Sequence, residues 1–346
     1  MWLKIRLFLV FFVYKMIKVL ITWVAGLVGS NFSRYLLDRG GYEVIWIDDF
    51  SWWYRDFVDE RVKLYEINLT DYEKLDEIFK NENIDYVYHF AAYAAEGLSP
   101  FMRRFNYTNN LICSVNIINN CINYNVKKLI FTSSMSVYWF WNPPFVESQQ
   151  QAPIDPYGIA KYTVEQDIKQ AHEQFWLRYT IIRPHNIIWI YQNIWDKYRN
   201  VVWIWIRQCI SWEKISIFGD WEQKRAFSDI YYYMEPFEKV MTVWDSEIFN
   251  LWADQEYRII DVANIVKNIA KKKWFDVDIV HYEARHEVKI AYSDHTKAKS
   301  MLDFKDWTDI EVLIEKMFNW ALTQPKIEVK YKDYEVEKNI YSFWKK

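Results

Sequence analysis

The chain has 346 residues, 51% of them hydrophobic and 26% charged, with a formal net charge of −3. That is enough apolar sequence for one large core or two smaller ones and far too much for a disordered chain. The near balance of charge gives no electrostatic case for nucleic acid or an anionic membrane surface as partner. Cys113, Cys121 and Cys209 stand at no metal-ligand or redox spacing, so no metal site and no disulfide framework is indicated, and a reducing, cytoplasmic location is expected.

Residues 1–15, M-W-L-K-I-R-L-F-L-V-F-F-V-Y-K, place a short apolar run behind basic residues, but no small-residue cleavage site follows. They are expected to be an extension ahead of a start at Met16. No later run is apolar for the roughly 18 residues a membrane span needs. From Met16 the chain alternates between two periodicities. K-V-L-I-T is a short continuous apolar run, and Leu27, Val28, Phe32, Tyr35 and Leu36 recur near helical spacing over 27–38. Strands are expected at 43–47, 62–67, 86–90, 128–131 and 179–182, with helices near 71–80, 103–124 and 157–175. Apolar strands alternating with helices predict an α/β fold, a doubly wound (Rossmann) parallel sheet buried on both faces, over 16–185. Beyond Arg183-Pro184 the rhythm loosens through about 325 into short segments and aromatic clusters. A smaller mixed α/β lobe for substrate is expected at 186–325, forming a cleft with the first, and the tail 326–346 reads as a surface strap.

Glycine and tryptophan are out of proportion. Average usage, about 7%, would give about 24 glycines in this length, yet there are 7, against 20 tryptophans. Either the indoles form an exposed sugar-stacking surface, which would leave the turns their own glycines, or tryptophan stands where glycine belongs.

The first strand runs into T-W-V-A-G-L-V-G, with Gly26 and Gly29 where a helix begins. A helix N-terminus there offers free backbone N–H groups and a positive dipole end to a pyrophosphate, and glycines allow its close approach. Two of three expected glycines are present; the first position is Trp23. About 20 residues on, at the end of the second strand, Asp48 is placed to accept both ribose hydroxyls, and its charge would repel a 2′-phosphate, which favours NAD over NADP.

After the strand at 128–131 comes T-S-S-M-S-V-Y, and later P-Y-G-I-A-K sets Tyr157 and Lys161 four residues apart on one helix face. A tyrosine acts as base near neutral pH when a neighbouring ammonium stabilises its phenolate; Ser134 would hydrogen-bond the substrate oxygen. The same spacing occurs at Tyr14/Lys18, Tyr124/Lys128, Tyr334/Lys338 and Tyr341/Lys345. Only Tyr157/Lys161 follows a serine-bearing strand end and opens a helix.

With these motifs the chain resembles the extended short-chain dehydrogenase/reductase superfamily, and within it the NAD-dependent sugar-nucleotide epimerases of the UDP-glucose 4-epimerase type. The likeness rests on residues 22–29, I-D-D at 47–49, H-F-A-A at 89–92, T-S-S at 132–134, S-V-Y at 136–138, Y-G-I-A-K at 157–161, R-P-H-N at 183–186, and F-G-D at 218–220 followed by Arg225. It implies NAD contacts from Gly26, Leu27, Val28, Gly29, Asp48, Asp49, Asn68, Leu69, Phe90, Ala91, Ala92, Asn110, Tyr157, Lys161 and His185. It implies catalysis by Ser134, Tyr157 and Lys161, contacts to a nucleotide-sugar, a UDP-hexose, from Ser134, Tyr157, Asn186 and Arg225, and a homodimer paired through the helices at 103–124 and 157–175.

The sequence also departs from that pattern. Asn68 replaces a common aspartate, and the family's Asp pair after Arg225 is altered within D-I-Y-Y-Y-M. Dehydratases and decarboxylases of this superfamily place an acid beside the serine segment, where this chain has Met135 and Ser136, so C4 epimerisation is the expected reaction. Tryptophan replaces family glycine at 23, 46, 139, 189 and 221, and by the same reading at 52, 53, 141, 176, 195, 212, 252 and 274. Genuine indoles there would leave a non-catalytic binding protein; alternatively, the source reads the UGA codon as glycine. Trp205, Trp307, Trp320 and Trp344 lie in apolar or terminal contexts that accept an aromatic.

Overall fold

The computed structural model describes residues 15–23, 25–51, 55–138, 143–198, 200–219, 222–243, 245–285, 289–329 and 333–344. The expectations for residues 1–14, for Asp220 and for Trp52, Trp53, Trp139, Trp141 and Trp221 lie outside these.

Six strands follow the apolar runs: β1 (Ile17–Thr22), β2 (Tyr42–Asp48), β3 (Lys63–Glu66), β4 (Tyr86–His89), β5 (Lys128–Thr132) and β6 (Tyr179–Pro184). Between them run α1 (Leu27–Arg39), α2 (Tyr72–Glu82), α3 (Arg103–Tyr107), α4 (Cys113–Asn123) and α5 (Pro156–Phe175), with a π-helical turn, Thr108–Ile112, between α3 and α4. The strands pair in parallel in the order β6-β5-β4-β1-β2-β3. A seventh strand, Glu247–Leu251, returns from the stretch expected to form the second lobe and pairs in parallel outside β6. The inner strands are buried on both faces because successive side chains alternate between two helical layers, while β3 at the sheet edge has Lys63 and Glu66 exposed. In β1, Leu20 joins the cluster under α4 and α5, while Val19 and Ile21 join Phe32 and Leu36 of α1 on the other side.

The second lobe packs α6 (Val201–Ile210), α8 (Ile259–Lys272) and α10 (Ile310–Leu322) around Trp203, Trp205 and Phe318. Helix α7 (Met234–Thr242) instead covers the main sheet through Phe237 and Val240, and α9 (Thr296–Leu302) adds Ala298 and Leu302 to the same layer. No helix among the described residues is long and apolar enough to cross a membrane.

Helix ends show where tryptophan replaces an expected residue type. Helix α1 stops at Gly40, φ +75°, whose N–H reaches the carbonyls of Leu36 and Leu37. Helices α5, α6 and α8 stop in the same left-handed region at Trp176 (φ +56°), Trp212 (φ +58°) and Trp274 (φ +71°).

Candidate active site

Parallel strands end together, so the residues following β1, β2, β4, β5 and β6 meet along one edge of the sheet. The order reverses at β1, with β4 on one side and β2 on the other, which opens a crevice there. A cavity of about 440 Å³ lies in it, between the sheet and the second lobe.

The turn after β1 supplies its floor. Gly26 is the N-cap of α1 and no side chain caps that helix, so its first amides are open to an anion. Gly26, Leu27, Val28 and Gly29 all line the cavity. Asp48, at the end of β2, accepts the amide N–H of Ala25 at 3.1 Å and of Phe50 at 2.8 Å, which ties it to the same turn. Burial pushes its carboxyl up to about 6. A second cavity, of only about 10 Å³, lies beside Asp48, Asp49, Asn68, Leu69 and Asn109, and Trp23 lines both. Asn68 donates to Asp49 at 2.5 Å and accepts the Thr70 amide.

From H-F-A-A, Phe90 and Ala92 line the larger cavity, while Ala91 is buried behind it and donates its N–H to the Thr22 hydroxyl at 3.1 Å. His89 is held between Thr22 Oγ1 at 2.9 Å and Ser114 Oγ at 2.8 Å. Burial, with Lys161 nearby, drives its pKa down to about 3, so it is a neutral structural bridge. Asn110 lines neither cavity. Its amide donates to Asn106 Oδ1 at 2.7 Å and the Tyr93 carbonyl at 3.3 Å, and its neighbour Asn109 lines the smaller cavity instead.

Ser134, Tyr157 and Lys161 do come together on the larger cavity. Ser134 follows β5 and accepts the Ser136 amide. Tyr157 sits in the first turn of α5, whose N-cap Asp155 accepts the Gly158 amide at 2.9 Å, and its own N–H donates to Ser99 Oγ at 3.2 Å. Lys161, one turn on, donates its ammonium to the Thr132 carbonyl at 2.7 Å. Burial depresses it from 10.5 to about 7, with Glu165 acting the other way.

His185, Asn186 and Arg225 line the opposite side. Asn186 Nδ2 lies 2.9 Å from His185 Nε2 and donates to the Ala226 carbonyl, while His185 Nδ1 is buried without a hydrogen-bond partner. Arg225 donates to the carbonyls of Lys224 and Lys289.

Sequence reasoning missed several contributors. Glu165 forms a fully buried pair with Arg183 at 2.8 Å and accepts from Ser133, one turn beyond Lys161. No motif marks Arg285 in the second lobe, yet its guanidinium lies 3.5 Å from the centre of the Phe218 ring at the cavity wall. Tyr341 of the tail also lines the cavity. These contacts join segments far apart in sequence, which no spacing rule reveals.

Residues 19–251 match the NAD dependent epimerase/dehydratase family. The chain belongs to that family. Over 89% of its length it is 25% identical to 98% of the UDP-glucose 4-epimerase of Lactobacillus helveticus. Its structure matches the UDP-glucose 4-epimerase of Thermotoga maritima, determined with UDP-glucose, with a TM-score of 0.83 and 27% identity over 88% of this chain and 99% of that one. A UDP-N-acetylglucosamine 4-epimerase from Methanobrevibacter ruminantium, in complex with UDP-N-acetylmuramic acid, aligns with a TM-score of 0.82 and 26% identity over 90% of this chain and 100% of that one. The chain is an NAD-dependent sugar-nucleotide epimerase, and NAD is its cofactor. The open amides of α1 on the larger cavity suit a pyrophosphate, whereas the cavity beside Asp48, which Trp23 also lines, has only about 10 Å³, too little for an adenosine.

Proposed function

We propose that this epimerase inverts C4 of a UDP-hexose, interconverting UDP-glucose and UDP-galactose, with Ser134, Tyr157 and Lys161 as catalytic residues. The observation that carries this is the composition of the wall around Tyr157. The segment leaving Ser134 offers Met135, which lines the cavity, and the fully buried Ser136, neither of them an acid that could drive out water. Of the two carboxylates on the cavity, Asp155 caps α5, and Glu96 is half-buried on the turn Glu96–Phe101.

NAD in the crevice supplies a reversible hydride acceptor. Tyr157 takes the proton of the C4 hydroxyl, Ser134 holds that oxygen, and the Lys161 ammonium lowers the cost of the phenolate. The 4-keto sugar turns over in the cleft, and Tyr157 returns the proton after reduction from the other face. Asn186 and Arg225 hold the nucleotide-sugar, Arg225 being suited to a diphosphate. Asp48 takes the ribose of NAD.

Buried thiols at Cys113, Cys121 and Cys209 support a cytoplasmic location. Ile112 and Ile159, both exposed on the helices expected to pair, support a homodimer. Protein purified from its source should interconvert UDP-glucose and UDP-galactose with no cofactor added. Retained NAD without turnover on that pair, alongside turnover of a UDP-N-acetylhexosamine or UDP-glucuronate pair, would reassign the substrate; no turnover on any pair would sink the epimerase mechanism.

A further inference from the structure

Four tryptophans hold a backbone conformation that suits glycine. Among the described residues thirteen non-glycine residues have positive φ, and six of them are Asn or Asp, whose short polar side chains tolerate it. Tryptophan supplies four more: Trp23 at +54°, Trp176 at +56°, Trp212 at +58° and Trp274 at +71°. A bulky side chain is strained there, and Phe50 at +52° and Tyr191 at +63° are the other aromatic residues that adopt it among the described residues.

At three of these positions the hydrogen bonds identify the role. The N–H of Trp212 donates to the Cys209 carbonyl and that of Glu213 to the Gln208 carbonyl; the N–H of Trp274 donates to Lys271 and that of Phe275 to Ala270. Both sets form the paired closure of a Schellman motif, with tryptophan at the position just past the helix where glycine is the default. The Trp176 N–H donates to the His172 carbonyl, the single bond of the simpler left-handed cap. Trp176 and Trp274 are 82% and 88% exposed, so no burial offsets the strain.

The fourth position lies in the NAD site. Trp23 joins β1 to the α1 turn, where backbone must come close to a pyrophosphate. It lines both cavities and lies against the adenosine end. The remaining indoles divide differently. Trp205 donates to the Ser216 carbonyl at 2.7 Å inside the second lobe, and Trp344 packs edge-on to Phe101 and Tyr198, as aromatic residues at home in their surroundings do; Trp252, read from the sequence as a glycine position, belongs with them, since it is fully buried and donates to the Arg183 carbonyl at 2.8 Å.

We propose that the functional polypeptide carries glycine at positions 23, 176, 212 and 274, because its source decodes UGA as glycine, and that glycine at 23 joins the two cavities into one dinucleotide groove. UGA differs by one base from the tryptophan codon UGG and by one from the glycine codon GGA. A sequence translated with UGA read as tryptophan, when the source reads UGA as glycine, exchanges the two residues at those codons without touching any other. Glycine at these four positions alone brings the chain to 11 glycines and 16 tryptophans, so it accounts for part of the imbalance. The groove half rests on the NAD-dependent reading of the site; the codon half does not.

The test has two arms. Tandem mass spectrometry of the protein isolated from its source should read glycine in the peptides covering 176, 212 and 274, with UGA at those codons and at 23, and UGG at 205 and 344. Tryptophan in those peptides, or UGG at the four codons, overturns the proposal. In the second arm the chain as written and its Trp23→Gly and Trp176→Gly/Trp212→Gly/Trp274→Gly variants are made in a host that reads every codon conventionally. The triple variant should melt several degrees higher, and Trp23→Gly should retain NAD through gel filtration where the written chain loses it. Equal melting temperatures overturn the helix-end assignment, and equal NAD retention overturns the groove, whatever the enzyme's turnover.

Discussion

The carbonyl oxygen of Ser136 lies where Gly158 leaves room for it: a β-carbon on Gly158 would come within 2.8 Å of that oxygen and 3.0 Å of the Pro153 β-carbon. The first turn of α5 is thereby pressed onto the segment that leaves Ser134, which brings Tyr157 to the same cavity wall. Gly158→Ala must push the two apart. Because small misplacements of reacting groups cost on the order of 10²-fold in rate, kcat should fall by about that factor while the fold survives. An unchanged kcat in the folded variant would show that this approach does not set the catalytic geometry.

Much of this arrangement was legible in the sequence. The strands were continuous apolar runs, and Ser134, Tyr157 and Lys161 lay at the end of β5 and the start of α5 as their motifs require. What was not legible depends on tertiary register. The π-helical turn Thr108–Ile112 adds backbone per turn, rotating the face of the helix, so Asn109 lines the small cavity while Asn110 turns inward. Strand Glu247–Leu251 is five residues long and its partner β6 lies more than sixty residues earlier, so no local signal marks it as part of the main sheet. The opposite holds in part for tryptophan at 176, 212 and 274. The helix expected at 157–175 already places Trp176 at a helix end, whereas no helix was expected before 212 or 274; at all three the left-handed backbone supplies the physical reason.

Lys161 gives the fold a pH dependence. Its pKa falls from 10.5 to about 7 on burial, so between those values the native chain binds fewer protons than the unfolded one. Stability from this site is therefore lowest at and below about pH 7 and rises toward pH 10. Lys161→Met removes the buried charge and with it that slope. Melting temperatures of the two proteins, measured from pH 7 to pH 10, should differ most at the acidic end, with the variant gaining there; a difference independent of pH would contradict the assignment. The variant should also lose kcat, since Tyr157 then lacks its ammonium neighbour.

Arg183 and Glu165 are both fully buried, and Arg183 also contacts the Tyr138 hydroxyl, which in turn donates to Asn250 at 2.9 Å. Removing one partner of such a pair strands the other charge and costs roughly 3–5 kcal/mol. Arg183→Met and Glu165→Leu should each destabilise the protein by about that much in urea titrations. The double variant should recover most of the loss, because no charge is then left unpaired. If the two single losses simply add, the pair is not coupled and the network around Tyr138 carries the stability instead.

The tail is anchored where it meets the cavity. Glu335 accepts the backbone N–H groups of Arg104 at 2.6 Å and Phe105 at 2.9 Å, closing the open first turn of α3, and the Tyr334 hydroxyl meets that of Tyr198 at 2.6 Å. Between this anchor and Trp344, Tyr341 reaches the cavity that also holds Arg285 and Phe218. It belongs to the tail rather than to the β5 and α5 segments that carry Ser134, Tyr157 and Lys161, and is expected to add contact area against the bound nucleotide-sugar. Such a contact is made equally in ground and transition states, so its loss should raise KM and leave kcat alone. Tyr341→Ala should raise KM for the nucleotide-sugar by about tenfold, near 1.4 kcal/mol of binding, with kcat nearly unchanged, and Tyr341→Phe should keep most of the affinity. A matching fall in kcat would instead place the tail in the chemistry, as a segment whose closure the reaction requires.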